Sequence, residues 1–394
     1  MYGNMKELLA KELENLKEAG LFKEEKEILS AQGAAIKTSA GDNLNFCANN
    51  YLGLANHPEI LWAVMSGLKE RGFGMASVRF ICGTQDIHKQ LERKISAFLG
   101  TEDTILYSSC FDANGGLFEC LLGSEDVVIS DALNHASIID GVRLCKAERK
   151  VYKHGDMKEL QNHLQESSKA RFRMIATDGA FSMHGDIAPL PDICGLAEKY
   201  DALVMVDDSH ATGFFGPTGR GTPEHFGVQK HIDVLTSTMG KAMGGASGGF
   251  TTGRAEIIAF LRQRSRPYLF SNSVAPPVVY GTMKAFEIID NHPELVAALK
   301  ENTRHFRAEM TRRGFQIKEG IHPIVPIMLG DEKRTVKVAQ EMNERGIFVV
   351  GFSYPVVPKG EARIRVQLSA AHTREQLDRA IATFEEVGKK LGVI

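Results

Sequence analysis

From about residue 100 to 255 short, wholly apolar runs alternate with stretches of helical periodicity. Thr104–Tyr107, Val127–Ile129, Met174–Thr177, Leu203–Val206 and Val234–Thr236 read as strands covered on both faces, because a strand with one wet face would alternate apolar and polar residues. Strands that alternate with helices form a largely parallel sheet flanked by helices, which makes the fold class α/β. Each run is followed at once by small or polar residues: Ser108-Ser109-Cys110, Asn134-His135, Asp178 to Ser182, Asp207 to His210, and Thr238 to Lys241. Ligands of such sheets bind beyond the carboxyl ends of the strands. Five strand ends are therefore placed to converge on one site.

The last hundred residues read differently. Beyond His292-Pro293 the pattern is helix-rich, with strands expected at Ile324–Met328, Phe348–Val350 and Arg363–Leu368, and a final helix from Thr373 that Gln376 would cap. Leu377, Ile381, Phe384 and Leu391 share one face of that helix. Residues 289–394 are thus expected to form a smaller α+β domain behind a large domain at 51–288. Residues 1–50 form an N-terminal arm, in which Met5, Leu8, Leu9, Leu13 and Leu16 at helical spacing predict an amphipathic helix packed on the body or on a second subunit.

With 394 residues, 43% of them hydrophobic, the chain can bury a large core without staples. The 47 basic and 49 acidic residues are well mixed and leave a net charge of -2, which gives no reason to expect nucleic acid or a membrane surface as partner. Local basic clusters such as Arg262, Arg264 and Arg266 leave room for an anionic ligand. No apolar run approaches the roughly twenty residues of a membrane span. The six cysteines show no Cys-x-x-Cys pair and no pattern of a secreted scaffold, so a reducing, cytoplasmic setting is expected.

The candidate chemistry centres on Lys241, set between Ser237, Thr238 and Gly240 on one side and Gly244, Gly245, Ser247, Gly248 and Gly249 on the other. A positioned amine condenses with an aldehyde, and small neighbours let a planar group approach the backbone. The strand Leu203–Val206 ends in Asp207, Asp208 and His210. A carboxylate that keeps a pyridine nitrogen protonated, with a lysine that carries the same ring as an imine, is the pairing that pyridoxal phosphate (PLP) chemistry needs. A lone lysine among glycines is commonly a solvated surface charge, so neither part carries the reading alone. A phosphate loop fails on spacing, because Ala242 follows Lys241 and Leu235 stands where the first glycine belongs. No Gly-x-Gly-x-x-Gly joins a strand to a helix, which removes the dinucleotide alternative. Asp207, Asp208 and His210 have no second His or Cys cluster to complete a metal site, and no metal is expected.

Ser108 to Gly116 joins a strand to a helix whose first N–H groups would cradle a phosphate. His135 is either a ring that stacks on the cofactor or an ordinary hydrogen-bonded histidine. In Arg363–Leu368 the period of two sets Ile364, Val366 and Leu368 on the core side and Arg363, Arg365 and Gln367 on the other. An arginine there suits a carboxylate, and periodicity does not choose between Arg363 and Arg365.

Thr236 to Gly245, Val206 to Gly213, Asn49 to Gly53 and Ser369 to Thr373 together resemble the α-oxoamine synthases, PLP enzymes of fold type I. The resemblance runs from about residue 20 to the end. Phe46–Asn50, Ser109–Asn114, Arg262–Asn272 and Tyr354–Gly360 are most similar to members that condense glycine with acetyl-CoA, releasing CoA, and that also run the reverse cleavage; other members take alanine and a longer acyl-CoA. The resemblance implies that Lys241 holds PLP covalently, Asp207 pairs with the pyridine nitrogen, His210 bonds the ring oxygen and His135 stacks on the ring. It gives the phosphate to the Cys110 and Phe111 N–H groups, Thr238, and Ser271 and Asn272 of a second subunit. Asn49, Ser182 and Arg365 would bind the amino-acid carboxylate. A site shared in this way implies a homodimer.

Overall fold

The computed structural model describes every residue except Met1, Gly20, Glu24 and Pro355. Those four positions, which belong to the expected arm and to the Tyr354–Gly360 stretch, lie outside the described residues. Tertiary contacts divide the chain into a unit spanning Asn49–Lys300 and one that combines Met1–Ala48 with Glu301–Ile394.

The chain opens with a helix at Gly3–Glu18, none of whose residues is buried; Leu8 is 60% exposed and Leu13 49%. Strands β1 (Ala35–Thr38) and β2 (Gly41–Asn45) then pair as an antiparallel hairpin.

The large unit holds a seven-stranded sheet built from β3 (Asp103–Tyr107), β4 (Val127–Asp131), β5 (Glu148–Tyr152), β6 (Arg173–Asp178), β7 (Leu203–Asp207), β8 (Val234–Thr238) and β9 (Gly249–Gly253), in the order β3-β9-β8-β7-β6-β4-β5. Only β9 runs against its neighbours, pairing antiparallel with both β3 and β8. β3 therefore points the same way as β8, β7, β6 and β4, and all five carboxyl ends lie along one edge. The five apolar runs seen in the sequence are all strands. Two strands escaped that reading. β5 is the charged edge strand, Glu148-Arg149-Lys150-Val151-Tyr152, of which only Tyr152 is buried; charge on an edge discourages pairing with other chains. β9 reads Gly249-Phe250-Thr251-Thr252-Gly253 and is buried throughout, its Thr252 hydroxyl bonding those of Thr101 and Thr104. Helices pack over the sheet through Tyr107, Phe118, Ile138, Met174, Met205 and Leu261, each at most 2% exposed.

In the other unit β10 (Ile324–Gly330), β11 (Ile347–Phe348), β12 (Gly351–Phe352) and β13 (Ala362–Gln367) complete two small sheets, β10-β13-β12 and β1-β2-β11. The closing helix Arg374–Lys390 starts at Thr373, where Thr373 and Gln376 cap each other's backbone as the sequence predicts. The second face of β13 is not solvated at Arg363 and Gln367, which are as buried as Ile364 and Val366. Arg363 compensates by binding the carbonyl and the carboxylate of Glu361, at 2.8 and 2.7 Å.

Candidate active site

The segments after β3, β4, β6, β7 and β8 line one cleft. Cys110, Phe111, His135, Ser182, Asp207, His210, Thr238 and Lys241 all face it, together with Ser109, Ser137, Asp178 and Ser209.

Each position has a local cause. Asp207 is the last residue of β7, a strand whose Val204, Met205 and Val206 are fully buried, so the core holds its carboxylate at the sheet edge. Ser209 N–H donates to its Oδ1 at 2.9 Å and Asn114 Nδ2 to its Oδ2 at 2.6 Å. The Cys110 thiol lies 3.6 Å from the same oxygen; burial and the Asp207 charge push the thiol well above its ordinary range, so it stays protonated. The His210 Nδ1 atom is 2.8 Å from the Tyr51 hydroxyl. Lys241 sits at the tip of the β8–β9 hairpin. Gly244, Gly245 and Gly248 there have φ of 100°, 75° and 122°, the left-handed region that favours glycine. Gly245 N–H to Met239 C=O at 3.1 Å and Met239 N–H to Gly248 C=O at 2.9 Å close the loop. The glycine run thus has a structural purpose as well, returning the chain so that Thr238 pairs with Gly249.

His135 is held on two sides. Its backbone N–H donates to Asp178 Oδ2 at 2.8 Å, and Nδ1 is 2.7 Å from the Ser137 hydroxyl. Burial lowers the imidazole's proton affinity, Asp207 raises it and Lys241 lowers it again, with a net fall. Asp178 is pushed well above the carboxylate range by burial and by the Asp207 charge. Perturbed groups gathered in one cleft mark functional sites. The helix Cys110–Gly115 begins in this cleft with Ser109 as N-cap, accepting from Asp112 N–H at 3.0 Å. The N–H groups of Cys110 and Phe111 belong to the first turn, which has no helical carbonyl to bond. A cradle of N–H donors at one end, an amine at another and a buried carboxylate between them suit a phosphorylated pyridine aldehyde, and the residues present fit PLP.

Ser271 and Asn272 are elsewhere, in a second, smaller cleft beside Arg79 and Tyr268. Arg365 lies on β13 of the other unit, its guanidinium 4.8 Å from the Phe352 ring. Arg262 is spent internally, its guanidinium 3.3 Å from Glu92 and 3.2 Å from Asp103. Sequence reading gave no role to Asn114, Ser137, Asp178 or Tyr51; Asn114 and Tyr51 stood inside quoted motifs, whereas Ser137 and Asp178 carried no signal beyond lying near a strand end.

This chain belongs to the aminotransferase class I and II family, whose model matches residues 41–384, and the sheet and cleft are those of fold type I. It is 58% identical over 397 residues to the 2-amino-3-ketobutyrate coenzyme A ligase of Escherichia coli (strain K12), covering 100% of both chains. The mitochondrial 2-amino-3-ketobutyrate coenzyme A ligase of Homo sapiens is 55% identical over 98% of this chain and 93% of its own. The 8-amino-7-oxononanoate synthase of Thermosipho melanesiensis is 45% identical over 98% and 99%. Among solved structures, a serine palmitoyltransferase of S. paucimobilis with PLP and myriocin bound superposes with a TM-score of 0.94 at 29% identity, over 100% of each chain.

Proposed function

We propose that the protein is a PLP-dependent glycine C-acetyltransferase, which condenses glycine with acetyl-CoA to 2-amino-3-oxobutyrate and CoA and also runs the reverse cleavage. The observation that carries this is the joint placement of Lys241, Asp207, His135 and His210 in one cleft, in a chain 58% identical over its length to a 2-amino-3-ketobutyrate coenzyme A ligase.

PLP, when bound, supplies an electron sink for the charge that develops at the substrate Cα. Lys241 Nζ would hold it covalently and is the amine placed to take the proton from the substrate Cα. Asp207 keeps a proton on the ring nitrogen, and its ability to do so depends on the donors that Asn114 and Ser209 aim at its oxygens. Such preorganised charge is worth several kcal/mol because nothing has to reorient during the reaction. Tyr51 holds His210 for the ring oxygen. Cys110, Phe111 and Thr238 take the phosphate, and Asn49, Ser182 and Arg365 the glycine carboxylate. Ser271 and Asn272, which stand outside the Lys241 cleft, act from a second subunit, so the working form is a homodimer in the cytoplasm. Exposed apolar side chains on the large unit, Trp62 at 70% and Phe73 at 83%, support such a surface. Sedimentation that found only a 43.3 kDa species at micromolar concentration would reject the dimer.

The deciding test is the visible spectrum of the PLP-loaded protein, taken with glycine and then with glycine and acetyl-CoA, beside Lys241→Ala. The expected result is a yellow band that shifts with glycine, acetyl-CoA turnover, and a loss of at least about a thousandfold in the variant. A protein that PLP cannot colour sinks the reading. One that ignores glycine but answers alanine with pimeloyl-CoA belongs with the 8-amino-7-oxononanoate synthases.

A further inference from the structure

We propose that Asn114 and Ser137 form a relay between Asp207 and His135 that fixes the imidazole as its neutral tautomer, with the proton on Nε2. What that imidazole serves rests on the function proposed above; the hydrogen-bond accounting does not.

Asn114 is fully buried, four residues after Cys110 in the helix Cys110–Gly115. Its orientation is set by its neighbours. The Asp207 carboxylate only accepts, so the Asn114 NH₂ group must face it, at 2.6 Å from Oδ2. The amide oxygen then faces Thr236, whose hydroxyl donates to it at 2.7 Å. Having spent one N–H on Asp207, Asn114 gives the other to Ser137 Oγ at 2.8 Å. Ser137 is 1% exposed, and a hydroxyl has one hydrogen. With its oxygen accepting from Asn114, that hydrogen is directed at the other short contact, His135 Nδ1 at 2.7 Å. Ser137 N–H also points at Nδ1, at 3.2 Å. An atom that accepts from two donors carries no proton of its own, and a neutral imidazole then holds its proton on Nε2.

The surroundings agree. From β6, Asp178 takes the His135 backbone N–H and not its ring. Asp207 at the end of β7 and Lys241 in the β8–β9 hairpin are the charges that act on the imidazole, in opposite senses, and the Phe111 ring meets it edge-on at 6.4 Å. Burial is the largest influence and favours the neutral form. A charged imidazole would set a second cation beside Lys241 and beside the protonated ring that Asp207 is placed to hold. The relay prevents this by presenting Nδ1 with donors alone. Asn114 and Ser137 are therefore positioning residues for both partners of the cofactor ring.

The test is ¹⁵N spectroscopy of the histidines in the PLP-loaded enzyme, with the His135 signals assigned by their loss in His135→Gln. Wild type should show Nε2–H only, and Ser137→Ala a mixture of tautomers with a His135 pKa raised toward the ordinary value. Turnover should fall about tenfold in Ser137→Ala with KM for glycine changed less than about threefold. Asn114→Ala should shift the tautomer in the same way and lose more turnover, because it also strips a donor from Asp207, and the double variant should be no worse than Asn114→Ala alone, since serial links do not add. A wild-type Nδ1–H tautomer, an unchanged tautomer in Ser137→Ala, or losses that multiply in the double variant would each overturn the relay. The wild-type spectrum decides even if a variant fails to fold. An enzyme inert to glycine whose His135 still carries Nε2–H would refute the proposed activity and leave the relay standing.

Discussion

Gly249→Ala tests whether the start of the Cys110–Gly115 helix is the phosphate cradle. Gly249 is the first residue of β9, paired with Tyr107 of β3 on one side and Thr238 of β8 on the other. A Cβ added there would stand 2.3 Å from Cys110 N, 2.5 Å from Ser109 C and 2.7 Å from Cys110 Cα. All three are backbone atoms and cannot swing aside, so the first turn must retreat by roughly 1 Å to restore ordinary packing. Overpacking of this kind costs about 1–3 kcal/mol. With an unfolding entropy of about 2.1 cal/mol/K per residue, near 0.8 kcal/mol/K for the chain, Tm should fall by about 1–4 °C. The larger effect is on PLP. Losing one charge-assisted bond from Cys110 or Phe111 N–H, about 1.5–3 kcal/mol, weakens binding roughly 10- to 100-fold. Gly115→Ala is the control, because a Cβ there meets nothing within 4 Å and should leave both quantities unchanged. The assay is titration of the PLP-free protein by absorbance, beside scanning calorimetry. Wild-type PLP affinity in Gly249→Ala, with or without a lower Tm, would show that the phosphate is held elsewhere.

His154 bridges Asp131 at 3.1 Å and Asp186 at 3.4 Å; burial alone would lower its pKa, but the two carboxylates raise it from 6.5 to about 9. The bridge therefore stabilises the fold fully below pH 6.5 and is lost as pH rises through about 9, so wild type should lose up to ~3 kcal/mol relative to His154→Gln across that window in urea unfolding; parallel pH profiles would show the bridge contributes nothing. Glu92, 2% exposed, faces Arg79, Lys89 and Arg262 at 2.9, 2.8 and 3.3 Å. Burial opposes its charge but the cations win and hold its carboxyl below the usual range, so Glu92→Gln should cost about 3–5 kcal/mol at pH 7, and a urea midpoint within error of wild type would contradict this.

The sequence alone determined five of the seven strands of the large sheet, because an apolar run short enough for a strand and bounded by polar residues has few other ways to be buried. It also determined which residues stand at the carboxyl ends, since the runs give way to small or polar residues, as Val206 does to Asp207. The capping pair at Thr373 and Gln376 was equally local. The strands β5 and β9 were illegible. The first owes its place to an edge and the second to neighbours that bond its Thr252 hydroxyl, and neither cause is a property of the segment. Tertiary structure likewise decided between Arg363 and Arg365 in burial, since β13 is covered on both faces and period-two reasoning assumes one wet face. It alone revealed that Asn114 joins Asp207 to Ser137, a link across 93 and 23 residues of chain. Which end of an amide faces which neighbour depends on donors and acceptors brought together from separate strands, and no spacing along the chain encodes that.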